Sequence, residues 1–238
     1  MKRHPSAALA PGSVKRRDGS GDLHCVNLAD LSDEVLCAGL PVEPFHAWPG
    51  QRQRLGGWWS SSLRRHVPTS SGSERDLLLR LDHLGDVVAI GWRPFALPGP
   101  SVVPSYLALR RLRSTVLAIT ATRNHCGDAL AGVAQDRGWS VVTPDGIDAV
   151  SLGNLRWLAA YRVDRYAPSP ALRLRLRAAC ASWVTIENAL GRLVDQNESR
   201  EGALGGILHL LWAHELELED MTSKPISMRS CVRTVKEF

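Results

Sequence analysis

No stretch of this chain is apolar over anything near the roughly 18–20 residues that a membrane-spanning helix requires, so no membrane span is expected. The opening MKRHPSAALAPGSVKRR is basic but leads into no apolar core, so no secretory signal is expected. No CxxC pair occurs among the five cysteines (Cys25, Cys37, Cys126, Cys180, Cys231), which are odd in number and widely scattered. That argues against zinc modules and disulfide frameworks, and reduced thiols in the cytoplasm are the expectation. Lysine is scarce, at 4 of the 29 basic residues. Aspartate and glutamate are missing altogether from Val87 to Gly127.

What is present suits a folded α/β protein. At 238 residues, roughly 70–75% of the unfolded surface can be buried, enough for a core without staples. Hydrophobic residues at 44% and charged residues at 22% match a globular composition. The net charge of +5 is uneven: Lys+Arg against Asp+Glu is 5 to 2 over residues 1–24, 15 to 13 over 25–170 and 9 to 9 over 171–238. A basic tail and a mildly basic middle are compatible with nucleic acid, and arginine suits bidentate phosphate contacts. A G+C-rich coding bias toward Arg, Ala, Gly and Val explains the arginine excess equally well.

Along the chain, residues 1–40 read as a basic, mostly disordered tail, interrupted by a short helix in LADLSDEVLCAGL capped at Ser32. WWSSSLRRHVPT reads as extended, and Ser71 to His83 as a helix with Leu77, Leu78, Leu81 and Leu84 on one face. DVVAIGWRPFAL follows as a strand, and SVVPSYLALRRLRSTVLAITAT as two strands, Val102 to Leu109 and Thr115 to Ala121, around a basic turn. NHCGDALAGVAQDRGW reads as a helix with Ala129, Val133 and Ala134 on one face, stopped by Gly138; SVVTP is a short buried strand and DAVSLGNLRWLAAYR a helix. Residues 41–168 therefore predict an α/β domain with a mixed sheet. After the APSPA linker, residues 169–238 predict helices and a hairpin around Ser223-Lys224-Pro225, a small helical or winged-helix-like module. Its helix GALGGILHLLWAHEL is too apolar to read DNA and suits core or protein packing. His209 and His214, five apart, read as packing or surface residues rather than ligands.

A helix glutamate followed by a strand pair is where many metal-dependent nucleases hold their metal. Phe45, Trp48, Gly50, Gln51 and Arg52, then Trp58 and Trp59, Arg65-His66-Val67, Glu74-Arg75-Asp76 and the strand ending Arg93-Pro94-Phe95 occur in an order that resembles the TnsA-like heteromeric transposase endonuclease subunits. NLRWLAAYR and ILHLLWAHELELEDMTSKPIS extend the resemblance, which covers roughly residues 41 to 235. The family's strand ends in Gln-Pro-Phe, where this chain has Arg93.

The resemblance implies a restriction-endonuclease-like core that cuts one strand at each transposon end while a partner transposase cuts the other. It implies Mg²⁺ held by carboxylates, since hard cations need oxygen ligands, to activate water and stabilise phosphoryl charge. Carried over residue by residue, Glu74 matches the helix glutamate, Ser105 stands at the strand aspartate position after Pro104, Ala118 at the acidic or amide position, and Thr120 at the basic one. The expected Mg²⁺ site is therefore weak or absent and the enzyme impaired, kept for DNA or for a partner transposase or ATPase subunit. Two alternatives stand beside it: an active nuclease using Glu74 with Asp82, Asp86 or Asp128, and a non-enzymatic DNA-binding regulator or relic. Glu74 has a second reading, because Ser71-x-x-Glu74 is a capping-box pattern. Arg64, Arg65 and His66, and Arg110, Arg111 and Arg113, are the candidate DNA contacts, with solvated turns as the plain reading. Of Trp58 and Trp59, adjacent on a strand, one is expected in the core.

Overall fold

The computed structural model describes residues 12–45, 55–98, 102–120, 125–194 and 199–235. Trp48, Gly50, Gln51, Arg52 and Ala121 lie outside the described residues. The chain divides into two compact units. One comprises the described parts of 1–78 and 86–146, the other 79–85 and the described parts of 147–238.

In the first unit, β1 (Ser13–Arg17) and β2 (Leu23–Asn27) form an antiparallel hairpin, followed by α1 (Asp33–Ala38). Of the stretch expected to be a mostly disordered tail, residues 12–40 are folded here: Val14 is buried, and Lys15 exchanges both backbone hydrogen bonds with Ala96 at 2.8 Å. Ser32 caps α1 as anticipated, its Oγ accepting from the Val35 amide at 3.4 Å. β3 (Gly56–Ser60) pairs with β4 (Arg65–Thr69), placing Trp58 opposite Val67 on the buried face and Trp59 opposite His66 on the outer one.

α2 (Gly72–His83) then leads to a four-stranded sheet, β5 (Val87–Trp92), β6 (Tyr106–Arg110), β7 (Thr115–Ala118) and β8 (Ser140–Val142), in that order. The first three are antiparallel. β8 lies parallel to β7 because α3 (His125–Arg137) carries the chain back. The sheet is mixed, as the sequence predicts, but β8 is an edge strand with Val141 exposed rather than a buried one. Along α2, Leu77, Leu78, Leu79 and Leu81 are buried while Leu84 lies beyond the helix and is exposed; on α3, Leu130 and Ala134 are buried and Ala129 is not.

Both faces of the sheet are covered. Leu107, Leu109 and Leu117 join Val14, Leu36, Phe95, Leu130 and Trp139 in one core, and the alternate residues Tyr106, Ala108, Val116 and Ala118 are buried too. α1 is anchored by Asp33, whose carboxylate accepts from Arg137 Nη2 at 2.7 Å, from Trp139 Nε1 at 3.0 Å and from the Thr115 hydroxyl. Arg137 also donates to the carbonyls of Leu28 and Leu31.

The second unit contains α4 (Ala149–Leu158), α5 (Pro170–Ala179), β9 (Val184–Thr185), α6 (Ile186–Val194), α7 (Arg200–Trp212), β10 (Leu216–Leu218) and β11 (Cys231–Thr234). Its strands form a small antiparallel sheet, β10-β11-β9. The expected hairpin is present, with Ser223–Pro225 in its loop. Buried Asn154 ties that loop down, donating to the Met221 and Lys224 carbonyls and accepting from the Ile226 amide, all at 2.9 Å. The division at 146/147 moves α4 into this unit, against a sequence boundary at 168/169, because α4 packs on α7. α7 is buried along most of its length, Ala203 to Trp212, as a core helix is.

Candidate functional site

The N-terminus of α2 is built by Ser70, Ser71 and Glu74. Ser71 precedes the helix, and its Oγ accepts from the Glu74 amide at 3.1 Å. The Glu74 side chain turns back, but to Ser70 rather than Ser71: Oε2 accepts from the Ser70 amide at 2.6 Å and from its hydroxyl at 2.9 Å. The capping box is thus displaced by one residue. A carboxylate also suits the positive end of a helix dipole, and here it is 4% exposed.

The ends of three strands meet this turn. Arg93 follows β5, and its Nη2 lies 3.6 Å from Glu74 Oε1 and donates to Ser70 Oγ at 3.0 Å. The Arg93 amide donates to the Ser105 carbonyl at 3.0 Å, and the Ser105 amide donates to the Ala118 carbonyl at 3.0 Å. The hydroxyls of Ser105 and Thr120 are hydrogen-bonded at 2.9 Å. Glu74, Ser105, Ala118 and Thr120 are therefore gathered at one end of the sheet, linked through Arg93. Tyr106, opposite Ala118 in the ladder, donates its hydroxyl proton to the Pro68 carbonyl at 2.8 Å. Burial first, and the Glu74 charge second, push the Tyr106 phenol far above its ordinary range.

This donor set does not fit a magnesium ion, which favours carboxylate and water oxygens in octahedral array. Its one carboxylate already accepts two hydrogen bonds and faces a guanidinium, two further positions carry hydroxyls bonded to each other, and the fourth is a methyl group. Among the described residues, no group of three or more His, Cys, Asp and Glu side chains is arranged to hold a metal. The acids proposed as substitutes lie elsewhere. Asp86 is paired with Arg110 at 2.8 Å, Asp128 is exposed on α3, and Asp82 lies eight residues beyond Glu74 on the same helix, about 12 Å along its axis.

The candidate DNA contacts separate by geometry. Arg64 is exposed in the β3–β4 turn with φ 51°, Arg65 donates to the Ile90 carbonyl at 3.1 Å, and His66 packs edge-on against Trp59 at 5.2 Å. Arg110 is held by Asp86 at 2.8 and 3.0 Å and pins the base of the β6–β7 hairpin. Arg111 and Arg113 are exposed at the tip, flanking Leu112, which is 85% exposed.

Ser70, Arg93 and Tyr106 were not singled out as site residues by the sequence; the one signal was arginine where the resembled family has glutamine before Pro94-Phe95. His209 and His214 have packing roles: His209 Nδ1 pairs with the Tyr161 carbonyl at 2.9 Å, and His214 Nε2 donates to the His83 carbonyl. Among the described residues, no helix is long and apolar enough to cross a membrane. No protein-family model matches the chain, and none of the curated proteins matches it.

Proposed function

We propose that this chain is a TnsA-like subunit with a restriction-endonuclease-like first unit and a winged-helix-like second one, which binds transposon-end DNA without cutting it. The observation that carries the loss of cutting is the engagement of Glu74 by Ser70 and Arg93 beside Ser105, Ala118 and Thr120, none of which supplies a carboxylate. Phosphoryl transfer of this kind needs metals to activate water and neutralise developing charge, and no step of it is supported by these side chains.

The binding half of the reading rests on the β6–β7 hairpin. Arg111 and Arg113 project from a turn closed by Arg110 N–H to the Ser114 carbonyl at 2.9 Å and by Arg113 N–H to the Arg110 carbonyl at 2.9 Å. Such cations bind phosphates and set register without reading sequence. The burial of α7 supports the same choice, since a helix packed into its own unit presents no recognition face.

The test is nicking of supercoiled plasmid and of transposon-end DNA by the purified protein with Mg²⁺ or Mn²⁺, alone and with a neighbouring transposase. The expected result is no nicking above a Glu74→Gln control, together with a gel shift on the same DNA. Nicking that disappears in Glu74→Gln overturns the loss of cutting; absence of any DNA shift at low salt overturns the binding half.

A further inference from the structure

We propose that Arg93 is the resident cation of this site: a guanidinium that compensates Glu74 where a divalent metal otherwise would, leaving the first unit independent of such metals and closed to them. That Arg93 stands in place of a metal rests on the reading above; the Glu74–Arg93 partnership does not.

A carboxylate that is 4% exposed is costly unless paired and hydrogen-bonded. Glu74 has both kinds of partner. Oε2 accepts two hydrogen bonds from Ser70, and Oε1 faces Arg93 Nη2 at 3.6 Å. Ser70 Oγ is the relay, accepting from Arg93 at 3.0 Å while donating to Glu74 at 2.9 Å.

Arg93 is fixed rather than incidental. Its other terminal nitrogen donates to the Glu43 carbonyl at 3.2 Å, and its guanidinium lies 4.9 Å from the Trp92 ring centroid. Its backbone sits at φ 48°, a left-handed conformation that costs a non-glycine residue. Hydrogen bonds from the Val42 amide at 2.9 Å and to the Ser105 carbonyl at 3.0 Å hold it there. The cost secures a planar fork that donates to two acceptors while it faces Glu74, an arrangement a lysine cannot match. A divalent ion at Glu74 would stand against this charge in a poorly screened place, and like charges repel strongly at low effective dielectric.

The experiment follows thermal unfolding of the full chain in EDTA and with added Mn²⁺, for wild type, Glu74→Gln, Arg93→Gln, the double variant and Arg93→Lys. Each glutamine variant is expected to lower Tm by roughly 5–10 °C. The double variant should lose clearly less than the sum, and Arg93→Lys should recover part. Wild-type Tm is expected to be the same in EDTA and Mn²⁺, and calorimetric titration of wild type with Mn²⁺ should show no heat of binding at this site. Additive losses in the cycle overturn the partnership. Mn²⁺ binding to wild type that is lost in Glu74→Gln overturns the exclusion of metal, and it needs only the first variant to fold. Absence of any DNA shift at low salt would sink the binding half of the functional reading and leave the Glu74–Arg93 partnership standing.

Discussion

Tyr106 shows how much one residue fixes at the end of the sheet where Glu74, Ser105 and Ala118 gather. Its ring is fully buried, it faces the side of the sheet that carries Ala118, and its hydroxyl is satisfied by the Pro68 carbonyl at 2.8 Å. Tyr106→Phe keeps the ring and removes that hydrogen bond, so stability should fall by about 1 kcal/mol in urea unfolding; an unchanged midpoint would mean that the bond contributes nothing net. His83 offers a second residue-scale test. It packs against Trp212 and His214 with ring centroids at 5.0 and 4.5 Å, and its buried Nδ1 has no hydrogen-bond partner among the described residues. Burial first, and the neighbouring His214 second, hold its imidazole down to about 4, while Asp82 pulls the other way. The unfolded chain therefore binds the extra proton between about pH 6.5 and pH 4. The stability from keeping His83 neutral is complete above that window and is lost on acidifying through it, on the order of 2 kcal/mol. Urea midpoints at pH 7, 5.5 and 4 should show this fall in wild type and less of it in His83→Gln.

At the scale of elements, close approach decides what packs. Gly91 in β5 faces α1 so nearly that a Cβ there would lie 2.9 Å from the Cys37 Cα and 3.0 Å from the Leu36 carbonyl oxygen. Both are backbone atoms and cannot swing aside. Gly91→Ala should therefore push α1 off the sheet and destabilise the unit by about 2 kcal/mol, with faster amide exchange in α1 as the specific sign. The Asp33–Arg137 anchor works on the same helix from its other side, tying α1 to the C-terminal end of α3. β8 shows the opposite condition: among the described residues only β7 pairs with it, and its valines stay half-open.

For the whole molecule, the relevant quantity is where the charge stands. Pairing with Asp86 leaves Arg110 as structure and Arg111 and Arg113 as the outward cations of the hairpin. If these bind phosphate, log K against log salt should lose about one unit of slope for each contact removed. Arg111→Ala and Arg113→Ala should each weaken binding on every DNA sequence alike, whereas Arg110→Ala should act chiefly through stability. An unaltered salt slope in the Arg111→Ala, Arg113→Ala double variant would move the DNA contact elsewhere, with the β3–β4 turn at Arg64 the next place to test.

The sequence by itself determined the elements with strong local signals. Ser32 before Asp33, Ser71 before Gly72, Gly138 at φ 66° after α3, and the leucines of α2 are written in caps, breakers and period, which act within a few residues. The absence of acids from 87 to 127 fixed in advance that Ser105, Ala118 and Thr120 bring no carboxylate wherever they fold. Tertiary structure decided the rest. The basic start became a hairpin because Lys15 found Ala96, about eighty positions away. α4 joined the second unit because its buried face meets α7. Glu74 acquired Arg93 as its partner because β5 ends beside the start of α2, a juxtaposition of residues nineteen apart that no local spacing encodes.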